Sequence, residues 1–177
     1  MRSRLLIVVI LIMIVFQSEA NKVDTLSFGI FGKIALYHPE RTPDAFVLFI
    51  SGDGGWNKGV ADMTAPIVSQ GAMVAGINIL SYMKNIKSSK SKCYYPASDF
   101  EEVSLTIQKK YKFSKYLKPI LVGYSSGATL AYGTLAQAPA NTFKGAISLG
   151  FCPDIDIDRP LCRGAGLGSR VLKEGIS

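Results

Sequence analysis

Histidine is almost missing from this chain: His38 is the single one among 177 residues. The three cysteines, Cys93, Cys152 and Cys162, contain no Cys-x-x-Cys pair. A metal centre held by clustered imidazoles or thiolates is therefore not expected, and no cofactor is either. Charge is scarce as well. Only 19% of residues are charged against 48% hydrophobic, a balance that excludes a disordered chain and lets a single domain bury a core. No apolar run reaches the ~20 residues of a membrane span; Leu5–Phe16 is an unbroken run of 12. No internal repeat is visible, and no nucleic-acid-binding motif, so nucleic acid is not an expected partner.

What is present begins at the N-terminus. Arg2 and Arg4, the run Leu5–Phe16 and the small residues of Ser18-Glu19-Ala20 read as a signal peptide over residues 1–20, with an uncleaved anchor as the alternative. No cysteine lies near the cleavage site, which argues against a lipoprotein. Residues 21–177 are then one exported domain, expected in the periplasm. Its excess of positive charge (+7 for the whole chain) gathers at Lys84, Lys87, Lys90 and Lys92 and again at Lys109, Lys110, Lys112, Lys115 and Lys118. Such a surface suits anionic partners, a phospholipid layer included, or is an ordinary solvated face. Export permits disulfides. Cys152 and Cys162 flank a short loop rich in Pro and Asp, so a Cys152–Cys162 bridge is expected, leaving Cys93 over.

From residue 45 onward strands and helices alternate. Leu26–Ile30 and Lys33–Tyr37 read as a hairpin around Phe31-Gly32. Ala45–Ile50, Met73–Leu80, Ile120–Gly123 and Ala146–Leu149 are short apolar runs of the kind buried on both faces of a parallel sheet. Helices are predicted over Val60–Gln70, from Ser98 to about Lys112 behind the capping box Ser98-Asp99-Phe100-Glu101, and over Ser126–Ala136. Ser81–Ala97 reads as a polar loop. The order implies an α/β fold, a mostly parallel sheet with helices on both faces, whose ligands bind at the C-terminal ends of the strands.

Two glycine-rich segments stand at such ends. Gly123-Tyr124-Ser125-Ser126-Gly127 is Gly-x-Ser-x-Gly between a strand and a helix, the context of a nucleophile elbow, and makes Ser125 the candidate nucleophile. A plain β–α turn with a capping serine is the alternative. Ser51-Gly52-Asp53-Gly54-Gly55-Trp56 follows an earlier strand and suits the second half of an oxyanion hole. The backbone N–H of Ser126 and that of Asp53 are the expected donors, with Gly52 and Gly54 competing for the second role. Gly52, Gly54, Gly55 and Trp56 are candidate substrate-binding positions; Trp56 either lines an acyl pocket or packs the first helix. The loop has neither the Gly-Lys-Ser/Thr of a phosphate loop nor Gly-x-Gly-x-x-Gly.

These segments, followed by Gly150-Phe151-Cys152-Pro153-Asp154 and Pro160-Leu161-Cys162-Arg163-Gly164, resemble the VirJ/AcvB family of bacterial virulence proteins over about residues 24–168. The resemblance implies a periplasmic serine enzyme of α/β-hydrolase fold. It also implies hydrolysis of aminoacylated phosphatidylglycerol, the lysyl form above all, and links to virulence and type IV secretion. Phospholipid or another ester would be the substrate, with inner-membrane surface and secretion-system proteins as partners. One part of the pattern is lacking. A triad in this fold runs Ser, Asp or Glu, His, yet no histidine follows Ser125. Asp154, with Asp156 and Asp158, is the candidate acid, against an ordinary solvated acidic loop. The fold is accordingly expected to be incomplete at its C-terminal end. The rival to a hydrolase is a non-catalytic envelope binding or assembly protein on a hydrolase scaffold.

Overall fold

The structure is a computed structural model that describes residues 23–166, 171–172 and 175–176. The signal peptide expected over residues 1–20 lies outside the described residues.

Six strands form one sheet in the order β1-β2-β4-β3-β5-β6. β1 (Val23–Phe28) and β2 (Gly32–Tyr37) are an antiparallel hairpin joined by a 3-10 turn at Gly29–Phe31. β2 runs antiparallel to β4 (Ala72–Ile77). From there the sheet is parallel: β4 with β3 (Ala45–Ile50), β3 with β5 (Ile120–Tyr124), β5 with β6 (Gly145–Leu149). A further short antiparallel pair joins β7 (Val171–Leu172) to β8 (Gly175–Ile176).

The period of two along a strand divides the core. In β3, Phe46, Leu48 and Ile50 enter one apolar layer, while Val47 and Phe49 enter the other. The first layer is covered by α3 (Ile79–Ile86), α4 (Pro96–Lys110) and α5 (Ser126–Gln137). Phe31, Tyr82 and Phe100 interlock there, with ring centroids 5.0–5.4 Å apart. The second layer is covered by the short helices α1 (Lys58–Asp62) and α2 (Ala65–Ser69). The expected fold class stands: this is a mostly parallel, α/β-hydrolase-like sheet with helices on both faces.

The first strand lies at Val23–Phe28 rather than Leu26–Ile30, and several other boundaries differ from the sequence reading. The single helix expected over Val60–Gln70 is two helices, since Pro66 lacks the N–H to continue a ladder and sits in the first turn of α2. The strand expected to reach Leu80 stops at Ile77, because Asn78 caps a helix, its side chain accepting from the Leu80 N–H at 3.0 Å. That helix, α3, occupies the front of the expected polar loop. Ile79, Tyr82 and Ile86 form its buried stripe, spaced at three and four, while Lys84 is exposed. The helix expected to open at the Ser98–Glu101 capping box opens at Pro96, whose missing N–H suits a first-turn position; no side-chain cap forms.

Candidate active site

Ser125 stands between β5 and α5 with φ +55° and ψ −125°, a backbone conformation rare for a residue with a Cβ. Its surroundings impose it. The Ser125 N–H donates to the Leu149 carbonyl at 2.8 Å, and its carbonyl accepts from Ala128 N–H at 2.8 Å. Gly123 and Gly127 allow the turn to close. A Cβ on Gly123 would fall 2.1 Å from the Gly127 carbonyl oxygen, and one on Gly127 would fall 2.3 Å from the Ser51 carbonyl oxygen. The two outer glycines of the motif are thus demanded by sterics, as the elbow reading requires.

The second glycine-rich loop meets the first. A Cβ on Gly52 would lie 2.9 Å from the Ser125 Cβ and 3.1 Å from the Tyr124 carbonyl oxygen. Only glycine lets the Ser51–Trp56 loop lie this close to the serine. The loop turns back at once: Gly55 N–H donates to Gly52 carbonyl at 2.9 Å, and Gly55 takes φ +69°. Ser51 is fully buried, and its hydroxyl accepts from the Ile79 N–H at 3.1 Å, tying the loop to α3. Asp53 and Ser126 then open together onto a cleft of about 360 Å³. Neither amide is taken by another backbone group among the described residues. Ser126 is the first residue of α5, where the positive end of the helix dipole adds to its N–H. A serine on a strained elbow, next to two residues that open on one cleft and whose amides no backbone group takes among the described residues, supplies the parts needed to attack a carbonyl and hold the resulting oxyanion.

Trp56 is not part of that cleft. Its indole N–H donates to Tyr37 Oη at 3.1 Å, its ring meets Phe49 edge-on at 5.8 Å, and it lies flat over Gly76, where a Cβ would come 2.1 Å from the ring. It packs the second core layer, so the substrate-binding role considered for it is corrected to packing. Gly54 is exposed beside Asn57, and Gly55 lies under Asn78 and Leu80; both shape the turn.

No histidine approaches Ser125. His38 follows the end of β2, beside the start of β4, because β2 runs against β4 with Tyr37 opposite Val74. Its ring lies 5.0 Å from that of Tyr111. A strand length, roughly 17–20 Å, separates that edge of the sheet from the elbow edge. Asp154 is exposed and makes no hydrogen bond or ion pair among the described residues, so no contact ties it to Ser125. Asp158 is engaged elsewhere. It accepts from the Tyr94 hydroxyl at 2.6 Å, which holds its carboxyl below the usual aspartate range; burial and that same bond push the Tyr94 hydroxyl up to about 12.

The disulfide is Cys93–Cys162, with Cα atoms 4.9 Å apart, and Cys152 is a free, exposed thiol. The expected Cys152–Cys162 bridge is therefore corrected. The cause lies in a pairing between distant segments: Tyr94 N–H donates to the Pro160 carbonyl at 2.9 Å and Cys162 N–H to the Tyr94 carbonyl at 2.7 Å. That pairing seats Cys93 against Cys162, while the Cys152 carbonyl accepts from the Thr129 hydroxyl. Sequence reading also missed Arg159. Its guanidinium donates to the carbonyls of Lys87, Ser89 and Ser91 at 2.8, 2.7 and 2.6 Å, clamping the segment after α3. These partners lie about seventy residues back along the chain, so no local pattern marks them.

A family model described as "Bacterial virulence protein (VirJ)" matches residues 44–150, which hold the oxyanion loop, the elbow and β6. The chain belongs to the VirJ family. Among curated proteins none matches it in sequence. Solved structures share the fold of this VirJ chain. A thermostable carboxyl esterase from Bacillus coagulans, in complex with glycerol, is 23% identical with a TM-score of 0.53; the alignment covers 72% of this chain and 44% of the esterase. Poly(aspartic acid) hydrolase-1 from Sphingomonas sp. KT-1 is 14% identical with a TM-score of 0.56, covering 72% of this chain and 56% of the hydrolase. The VirJ chain thus spans about half the length of these structures, and at such identities the likeness is one of fold.

Proposed function

We propose that this VirJ chain carries the nucleophile and oxyanion half of a serine ester hydrolase. The observation that supports it is the strained Ser125 elbow with the Gly52 backbone pressed against it, a juxtaposition that packing alone does not require. In this reading Ser125 Oγ attacks an ester carbonyl and gives up its proton to a base. The Asp53 and Ser126 amides hold the oxyanion, the alcohol leaves with a proton, and water releases the acid and restores the serine. The finer reading is an aminoacyl ester of phosphatidylglycerol, the lysyl form in particular, handled in the periplasm after export, with links to virulence and type IV secretion. The VirJ match and the lysine-rich surface support it.

The reaction needs a base that these residues do not bring to Ser125. A fluorophosphonate probe should therefore label this chain weakly. A version extended by the polypeptide encoded downstream should label strongly and release lysine from lysyl-phosphatidylglycerol. Ser125→Ala in that version should abolish both; undiminished hydrolysis would rule out the serine mechanism. The placement of His38 at the far edge of the sheet favours a second reading, a non-catalytic envelope binding or assembly protein. Weak labelling in the extended version would support that one.

A further inference from the structure

A second cavity, of about 420 Å³, shares no lining residue with the cleft at Asp53 and Ser126. Its volume lies within the range of small-molecule sites, about 300–1,000 Å³. It forms where the end of α3, the start of α4, the 3-10 turn and the Cys93–Cys162 bridge meet. Asn85, Asp99 and four serines make its polar wall, and Ile30, Ile86 and Tyr95 supply apolar surface. Asp99 is held from behind. Tyr82, fully buried against Phe31 and Phe100, reaches out of the core and donates its hydroxyl to Asp99 Oδ2 at 2.8 Å. Asp99 makes no ion pair and no other side-chain hydrogen bond among the described residues, so Oδ1 keeps its acceptor capacity. Burial pushes this carboxyl above the usual aspartate value, a cost that a fully solvated surface aspartate does not carry.

The other polar groups are also oriented, each by one bond that leaves capacity over. Asn85 Nδ2 donates to the Ile30 carbonyl at 2.8 Å, which leaves Oδ1. The Ser88 hydroxyl donates to the Asn85 carbonyl at 2.6 Å, which leaves its lone pairs. Ser89 Oγ accepts from the Ser91 N–H at 3.2 Å, which leaves its proton. Arg159 clamps the carbonyls of Ser89 and Ser91, and the disulfide pins Cys93, so the serine loop is braced. Groups fixed in advance lose little freedom when a ligand binds. Charge narrows the ligand. Lys87, Lys90, Lys92 and Arg159 surround the serine loop, and the positive end of the α4 dipole lies at Asp99; both disfavour a cation. The Asp99 carboxylate disfavours an anion. Walls this rich in hydroxyls disfavour a wholly apolar molecule, which would leave them unsatisfied.

From this arrangement we infer that the cavity binds a neutral carbohydrate ring. Asp99 and Asn85 accept from adjacent ring hydroxyls, Ser88 and Ser89 bind a further one, and Tyr95, Ile30 and Ile86 cover the carbon–hydrogen face of the sugar. Tyr82 acts through Asp99, as a positioning residue. The site uses none of the elbow residues and holds whether or not Ser125 is a nucleophile.

The test is an NMR titration of the full, isotope-labelled chain with maltose, cellobiose, lactose and N,N′-diacetylchitobiose. At least one should shift the amides of Ser89, Ser91, Tyr95 and Asp99 with a Kd below about 10 mM. Spermidine, a cation, and glucuronate, an anion, should each bind there about tenfold or more weakly. Asp99→Asn, which keeps the shape and loses the charge, should weaken the sugar about tenfold, and Tyr95→Ala should weaken it several-fold. Tyr82→Phe should also weaken it several-fold, yet add no further loss when combined with Asp99→Asn, which a general loosening of the core would. Asp62→Asn, an exposed aspartate on the opposite face of the sheet, should change nothing. Unshifted amides elsewhere in each variant's spectrum show that it is folded. No shift with any of the four sugars up to about 50 mM, tighter binding of spermidine or glucuronate than of every sugar, or undiminished binding in both Asp99→Asn and Tyr95→Ala would overturn the inference.

Discussion

At Ser125 the structure holds an L-residue at φ +55°, and the strain that implies has a measurable sign. Backbone outliers of this kind store on the order of 1–3 kcal/mol and persist where neighbouring contacts over-determine them. Here the neighbours are the Leu149 carbonyl, the Ala128 N–H and the Gly52 backbone. Replacing the serine by glycine removes the Cβ that makes the conformation unfavourable, while alanine keeps it. Ser125→Gly is therefore expected to raise unfolding stability in urea by about 1 kcal/mol while losing all probe labelling, and Ser125→Ala to lose labelling with no such gain. A destabilised glycine variant would show that the elbow is unstrained. The motif's spacing made Ser125, Gly123 and Gly127 legible in the sequence, because the sterics that demand those residues act within five positions.

Between elements, a seam joins Tyr94 to residues 158–162. The Cys93–Cys162 bridge spans 69 residues, and closing a loop of that length is worth about 4 kcal/mol on the chain-entropy model. Cys93→Ser and Cys162→Ser should each lower stability by about 2–4 kcal/mol in guanidinium titrations, whereas Cys152→Ser, at an exposed free thiol, should be near neutral. Non-reducing peptide mapping that links Cys152 to either partner would contradict the structure. The Tyr94–Asp158 bond adds a pH dependence. The Tyr94 hydroxyl titrates higher in the folded chain, so its contribution is complete below about pH 10 and disappears as the pH rises toward 12. The Asp158 carboxyl titrates lower when folded. Its contribution is present above the ordinary aspartate value and is lost as the pH falls through the lowered one. Unfolding midpoints across pH should show both losses in the wild type, and Tyr94→Phe should flatten both.

For the molecule as a whole, β6 forms one end of the described sheet. Ile147 and Leu149 pair with Val122 and Tyr124 and are 52% and 37% exposed. An apolar edge strand with unpaired backbone is a template for association. Ile147→Lys should reduce concentration-dependent self-association in sedimentation experiments and leave the unfolding midpoint within about 0.5 kcal/mol of wild type. Unchanged association would show that this edge plays no part in it.

Short-range physics made part of this fold legible in the chain before any contact formed. The strands at Ala45–Ile50 and Ile120–Tyr124 are apolar and rich in β-branched or aromatic residues, and they admit few other conformations. The glycines of Gly-x-Ser-x-Gly answer to clashes within one turn, and the alternation of strand and helix implied a parallel sheet with its site at the strand ends. Long-range packing set the partner of Cys93, the packing role of Trp56, the folding of residues 79–86 as a helix and the position of His38 at the opposite edge from Ser125. Each of these depends on residues brought together from distant parts of the chain. Trp56 packs where it does because Gly76, on the neighbouring strand β4, lacks a side chain, and α3 forms because Tyr82 finds Phe31 and Phe100. Cys93 meets Cys162 because Tyr94 pairs with a strap some seventy residues on. Local pattern carries no record of such contacts, since their energy exists only once the sheet has assembled.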